Sequence, residues 1–219
     1  MMTERLVKVY PAFERFWHWS QVLLILVLLF TGLGLHGLHG LLPFGPAVML
    51  HTIAALALVV LWIFAIFWHL TTGTWRHYVP TTHGLFKVAR FYAFDIFRGA
   101  HHPYRKAYWR KHNPLQALTY LALKLFLFPA IWVTGIAYLT YNFWEHQPNA
   151  SLIFEIVANL HVLVAYLIAT FVIVHVYLLT AGHSFVEHVK PMITGFDTVD
   201  LTPEEEAYLA ADEPRRLKR

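Results

Sequence analysis

The chain has 219 residues, 58% of them hydrophobic and 14% charged, with a mean hydropathy of +0.49; this balance excludes an ordinary soluble domain and suits several membrane spans. The absence of cysteine excludes a disulfide framework, cysteine-ligated iron-sulfur clusters and thioether-attached haem, while fifteen histidines supply a large excess of metal ligands. A net charge of +4 without a basic groove or a nucleic-acid-binding motif gives no reason to expect nucleic acid, and the charges read instead as topology signals.

The first residues carry Arg5, Lys8 and Arg15 ahead of an apolar run, as a signal peptide does. No small-residue cleavage site follows and further apolar runs come after it, so this segment is expected to stay in place. Runs long enough to cross about 30 Å of hydrocarbon cover 16–35, 47–70, 115–141 and 152–180. The expectation is an all-α integral membrane four-helix bundle forming a single domain over 1–219, with a tail over 182–219.

The connections at 36–46 and 142–151 hold no Lys or Arg. Arg76, Lys87, Arg90, Arg98, Arg105, Lys106, Arg110 and Lys111 fall between the second and third runs, and Lys190, Arg215, Arg216, Lys218 and Arg219 lie in the tail. The positive-inside rule then puts both termini and the middle loop in the cytoplasm.

In the middle loop, Leu85, Phe86, Val88, Phe91, Tyr92, Ile96 and Phe97 alternate with Lys87, Arg90 and Arg98, which suits either a basic helix in the lipid headgroups or a helix packed on the bundle. His101, His102, Pro103, Tyr104, Arg105 and Lys106 lack carboxylates and read as a basic turn before a metal or anion site. Thr202, Pro203 and Glu205 form a capping-box start to a short helix running to about Ala211. No internal repeat is evident.

His161 and His175 lie fourteen residues apart in the last run. At about 3.6 residues per turn this is close to four turns, so both imidazoles share a face, separated by about 21 Å of rise. A histidine inside a span is costly and points to function when a partner exists; hydrogen bonding between helices is the plain alternative. Topology supplies partners: His18 and His175 share the cytoplasmic level, and His51 and His161 the outer level. Each pair sets two imidazoles across an interhelical gap, the arrangement for six-coordinate haem b, and two such haems make an electron path across the bilayer.

His69, eighteen residues after His51, competes for the inner site. His18 is preferred because His69 is expected at the helix end, beside Thr71, Thr72 and Gly73, where solvent or lipid headgroups satisfy it. Lys124, the basic residue deepest in a span, is expected to snorkel toward the interface, with a haem propionate or proton transfer as its other roles. Glu155 reads as interfacial, and His36, His39, His183 and His188 as surface residues.

Arg15-x-x-His18-Trp19, Thr31-Gly32, His51, Asn113-Pro114-Leu115-Gln116, Thr134-Gly135, His161 and His175-Val176-Tyr177 occur in that order. Together they resemble the di-haem cytochrome b subunits of membrane-bound formate dehydrogenases, nickel-iron hydrogenases and thiosulfate reductases, a bacterial cytochrome b561-like family. The likeness covers nearly the whole chain. It implies two haems b, one on His18 and His175 and one on His51 and His161.

It also implies electron transfer between quinone and a periplasmic-side redox subunit, or a multihaem or iron-sulfur protein, in the bacterial cytoplasmic membrane. Asn113 matches an Asn of that family's cytoplasmic-side quinone pocket, though ahead of Pro114 it equally reads as a helix cap. Pro114 and Leu115 differ from the Ala-Gly pair of formate dehydrogenase members and look more like the thiosulfate reductase branch. Lacking cysteine and a soluble domain, the chain is expected to act as an electron-transfer subunit. The alternative is a stand-alone di-haem oxidoreductase such as a superoxide oxidase or a quinol-linked reductase. A haem-free anchor or transporter is disfavoured, because no Gly or Pro pair interrupts corresponding halves.

Overall fold

The computed structural model describes residues 2–100, 103–104, 107–180 and 185–218; His101, His102, Arg105, Lys106 and His183, singled out above, lie outside the described residues. Strand β1 (Thr3–Lys8) leads into α1 (Ala12–Leu35), which starts behind Pro11. Helix α2 (Phe44–Thr72) starts behind Pro43 and ends at Gly73, whose φ of 71° makes the left-handed cap that a side chain would strain. The middle loop holds a short 3-10 turn (Thr74–Tyr78), α3 (Leu85–Ala93), which buries Val88 and Phe91, and a second turn (Asp95–Arg98).

The third span is not one uniform helix. It runs as α4 (Pro114–Ala122), a π turn (Leu123–Leu127) and α5 (Phe128–Leu139). Pro129 has no N–H to give to the carbonyl four residues back, and the helix widens just before it: the N–H of Phe128 reaches the carbonyl of Leu123. After the short α6 (Tyr141–Trp144), α7 (Ala150–Leu179) forms the fourth span. Then come α8 (Phe185–Thr194), β2 (Phe196–Leu201) and α9 (Pro203–Asp212), which opens on the Thr202–Glu205 capping box.

Among the described residues, four helical stretches are long and apolar enough to cross a membrane: Ala12–Leu35, Phe44–Thr72, Pro114–Leu139 and Ala150–Leu179. Leu23, Leu26, Ile63, Phe64, Phe67 and Ile173 each expose more than half of their surface, which hydrocarbon covers without cost and water does not. Helix α1 packs on α2 and α5 on α7. The buried centre is Leu58, Trp62, Leu123, Phe128, Val164 and Ile168, with Trp62 against Phe128 at 3.8 Å and Trp132 at 4.6 Å between ring centroids. The indole of Trp62 donates to Gln21 Oε1 at 2.7 Å, which satisfies its N–H inside the bundle.

Sequence reading missed the sheet. Strands β1 and β2 pair antiparallel, from Thr3 opposite Leu201 to Lys8 opposite Phe196, so the otherwise helical protein carries a two-stranded sheet. Its buried face, Val7, Val9, Val199 and Leu201, packs with Leu209 of α9 into a second small core. Arg5 bonds Glu206 at 2.6 Å, and Trp109 of the middle loop donates to Glu205 at 3.3 Å. Both termini and the middle loop thus meet at one end of the bundle, called here the basic end. Gly195 joins α8 to β2 at φ 88°, and a Cβ there would lie 2.7 Å from the carbonyl oxygen of Tyr10, so this close crossing requires glycine.

Candidate cofactor site: two histidine levels

At the end away from the sheet, His51 of α2 and His161 of α7 face each other with ring centroids 6.3 Å apart. The two rings are held in the same way. Thr31 Oγ1 lies 2.9 Å from His51 Nδ1, and Thr134 Oγ1 lies 2.9 Å from His161 Nδ1. Each threonine spends its own proton on the helix behind it, Thr31 on the carbonyl of Val27 at 2.7 Å and Thr134 on that of Ala130 at 2.7 Å. A hydroxyl has one proton, so each oxygen accepts from the imidazole, and Nδ1 must carry the hydrogen. Nε2 is then the unprotonated nitrogen on both rings, the state that binds a metal.

The glycines beside these threonines complete the cradle. A Cβ on Gly32 would stand 3.3 Å from His51 Cε1, and one on Gly135 would stand 3.4 Å from His161 Cε1. Without those methyls each ring lies directly against the neighbouring helix. The residues therefore fit a haem iron, which His51 and His161 would hold: two neutral imidazoles of fixed tautomer, with a centroid gap that accommodates metal–imidazole bonds of about 2 Å. The sequence flagged both Thr-Gly pairs without assigning them a task. The same dipeptide one helix before each histidine was the available signal.

The basic end is built differently. His18 of α1 and His175 of α7 act on each other electrostatically, while the corresponding neighbours of His69 are Lys124 and Lys111. His18 Nδ1 is buried with no hydrogen-bond partner among the described residues, an orphan that a bound group's polar atoms can satisfy. His175 stacks on Phe171 at 5.6 Å and 18°.

Two expectations fail here. His69 is not satisfied by solvent: it is buried at 7% exposure, its Nδ1 donates to the carbonyl of Ala65 at 2.5 Å, and its ring meets Trp17 at 5.5 Å. The helix continues past it to Thr72 and the Thr74–Tyr78 turn folds over it, which removes the water. Nor does Lys124 snorkel. From the π turn it points inward, with Nζ 3.1 Å from the centroid of the Tyr78 ring and 3.5 Å from His69 Nε2.

Asn113 is the N-cap of α4: its Oδ1 accepts from Gln116 N at 2.9 Å, Gln116 Oε1 accepts from Asn113 N at 3.1 Å, and Nδ2 donates to Tyr92 Oη at 3.2 Å. Next to it, His112 begins an aromatic series through Tyr120 at 4.9 Å and Phe171 at 6.1 Å to His175. Burial pushes His112 down to about 3 and His77 to about 4, so both stay neutral. Beside them Lys111 and Glu14 form an ion pair at 2.5 Å with side chains only 7% and 9% exposed. Burial also lowers Lys111, and Glu14 opposes that shift.

Of the remaining candidates, His39 is partly covered, stacked on Phe30 at 4.7 Å, and its Nε2 bonds the carbonyl of Phe30 at 2.8 Å; His36 and Glu155 stay exposed. Among the described residues no group of three or more His, Asp or Glu side chains could hold a metal ion.

The family model described as prokaryotic cytochrome b561 matches residues 9–195. YdhU of Escherichia coli (strain K12), a protein named as a cytochrome, is 28% identical over 205 residues, covering 87% of this chain and 74% of its own. No solved structure matches the chain.

Proposed function

The chain belongs to the prokaryotic cytochrome b561 family, a family of haem b electron-transfer proteins of the membrane, and on that premise we propose that it holds two haems b and relays electrons between quinone and a redox partner. His51 and His161 would hold the outer haem, and His18 and His175 the inner one. The single observation that carries this reading is the matched Thr31–His51 and Thr134–His161 hydrogen bonds at 2.9 Å, which free one ring nitrogen on each side of the same gap.

When bound, such haems carry one electron at a time between iron(II) and iron(III). The chain's own residues do the rest. Thr31 and Thr134 hold the tautomer, and the apolar layer of Trp62, Phe128 and Ile168 separates the two histidine levels and excludes water. The Arg and Lys residues of the middle loop and tail support a cytoplasmic basic end, with quinone exchanging there near Asn113 and the partner, a subunit carrying its own redox centres, approaching the other end.

The test is reoxidation of the dithionite-reduced protein by a soluble quinone analogue, followed in the haem spectrum. Fast reoxidation is expected, slowed in Asn113→Asp, which keeps the cap oxygen and loses the Nδ2 donor. A protein that ferricyanide reoxidises and no quinone analogue does would remove quinone from the account. Purification at native expression levels should bring the partner down in stoichiometric amount; full turnover by the lone chain with superoxide would instead make it a stand-alone enzyme.

A further inference from the structure

Lys124 and His69 form a buried polar pair that the electron path does not use. We propose that they are a proton-exchanging pair, taking up a proton from the basic end when an electron arrives at the His18–His175 level and releasing it when the electron leaves. The inference rests on the reading of His18 and His175 as the inner haem ligands.

The geometry sets which atoms exchange. His69 commits its Nδ1 hydrogen to the carbonyl of Ala65 at 2.5 Å, so Nε2 is the free base, and that nitrogen faces Lys124 Nζ at 3.5 Å. Lys124 reaches this position because the π turn Leu123–Leu127 turns it inward, and π turns of this kind recur at functional sites. The carboxylate acting on Lys124 is Glu14, and Glu14 is already bridged by Lys111 at 2.5 and 2.8 Å. Of these three charged groups around the pair, the two ammonium groups outnumber the one carboxylate, in a setting where a change of one charge is weakly screened.

The groups packed around the pair come from every neighbouring element. Trp17 and Glu14 face it from α1, Tyr78 from the turn after α2, Lys111 and His112 from the loop before α4, and Tyr120 from α4. Two aromatic routes lead from the cluster toward the inner level: Trp17, next to His18 in the chain, lies against His69, and Tyr120 and Phe171 lead from His112 to His175. On its other side, His77 and Lys111 connect the cluster to the loop. Charge balance is simple: one electron, from quinol or the redox partner, enters the inner level, and one proton from the aqueous phase enters the pair.

The experiment measures the midpoint potential of each haem against pH, by spectroelectrochemistry, across the neutral range. The inner haem is identified as the one lost in His175→Ala. In the unaltered protein the inner potential should fall as pH rises and the outer should stay level. Lys124→Arg keeps the positive charge but cannot give up a proton, so it should flatten the inner slope; His69→Gln should flatten it too, which serves if the Arg variant fails to hold haem.

An unaltered protein whose inner potential ignores pH would overturn the proposal, as would a wild-type slope in Lys124→Arg or in His69→Gln. A Lys124→Met variant whose inner potential moves by the same amount at every pH would also overturn it, since that is a fixed counter-charge. Fewer than two haems b in the unaltered protein would instead be a failure of the underlying reading.

Discussion

The two histidine levels answer the same problem with opposite materials. Around His51 and His161 one neutral arrangement is repeated: a threonine on Nδ1 and a glycine under the ring. Around His18 and His175 that arrangement is not repeated: Phe171 stacks on His175, and Trp17, next to His18 in the chain, lies against His69 of a polar cluster that also holds Lys124, His112 and the Glu14–Lys111 ion pair. An environment of fixed tautomers and neutral hydrogen-bond partners suits a centre that passes electrons alone. One lined with titratable groups suits a centre where electrons and protons meet.

The largest effects should come from the ligands. His51→Ala or His161→Ala should remove one haem and spare the other, and His18→Ala or His175→Ala should do the reverse, read as halved haem content with distinct residual spectra. If His69→Ala removed the inner haem while His18→Ala left it, the inner half of the comparison would break.

Next comes Glu14→Gln, which leaves the buried Lys111 ammonium without its carboxylate and should cost about 3–5 kcal/mol at the basic end. Thermal unfolding should show the inner haem released before the outer; simultaneous release at an unchanged temperature would mean the pair contributes little. Thr31→Val and Thr134→Val remove the acceptor that holds Nδ1–H, and each should weaken outer haem retention by about 10- to 100-fold while leaving the inner haem alone. Unequal effects of the two would show that the repetition is only geometric.

The smallest effect is that of acid. Burial holds His112 at about 3 and His77 at about 4, whereas the unfolded chain binds these protons near pH 6.5. The unfolded state takes up more protons below that value. Stability at the basic end is therefore full above about pH 6.5 and declines as pH falls toward 4. His112→Gln should blunt the decline; a melting temperature independent of pH over this window would contradict it.

The spans were legible because apolar runs of that length have few other uses, and the facing of His51 and His161 followed from where each falls along its own run. The β1–β2 pairing was not, since Thr3–Lys8 and Phe196–Leu201 are too short to carry a pattern and meet only after the chain has crossed the membrane four times. Lys124 was misread for a related reason. Its depth in the third span suggested snorkelling, but the π turn before Pro129 changes which way it faces, and its partners Tyr78 and His69 sit on segments far away in sequence. Asn113 read equally as cap and as quinone contact, and its cap bonds are present. The repetition of Thr31-Gly32 and Thr134-Gly135 was visible as letters and silent as chemistry until His51 and His161 stood beside them.

The measurement that reaches the centre of this account is haem b content per polypeptide in the purified, detergent-solubilised protein, with a dithionite-reduced spectrum. Two haems per chain is the predicted result. One haem would mean that only one of the histidine levels binds iron, and none, after haem-replete expression, would contradict the paired-histidine relay altogether.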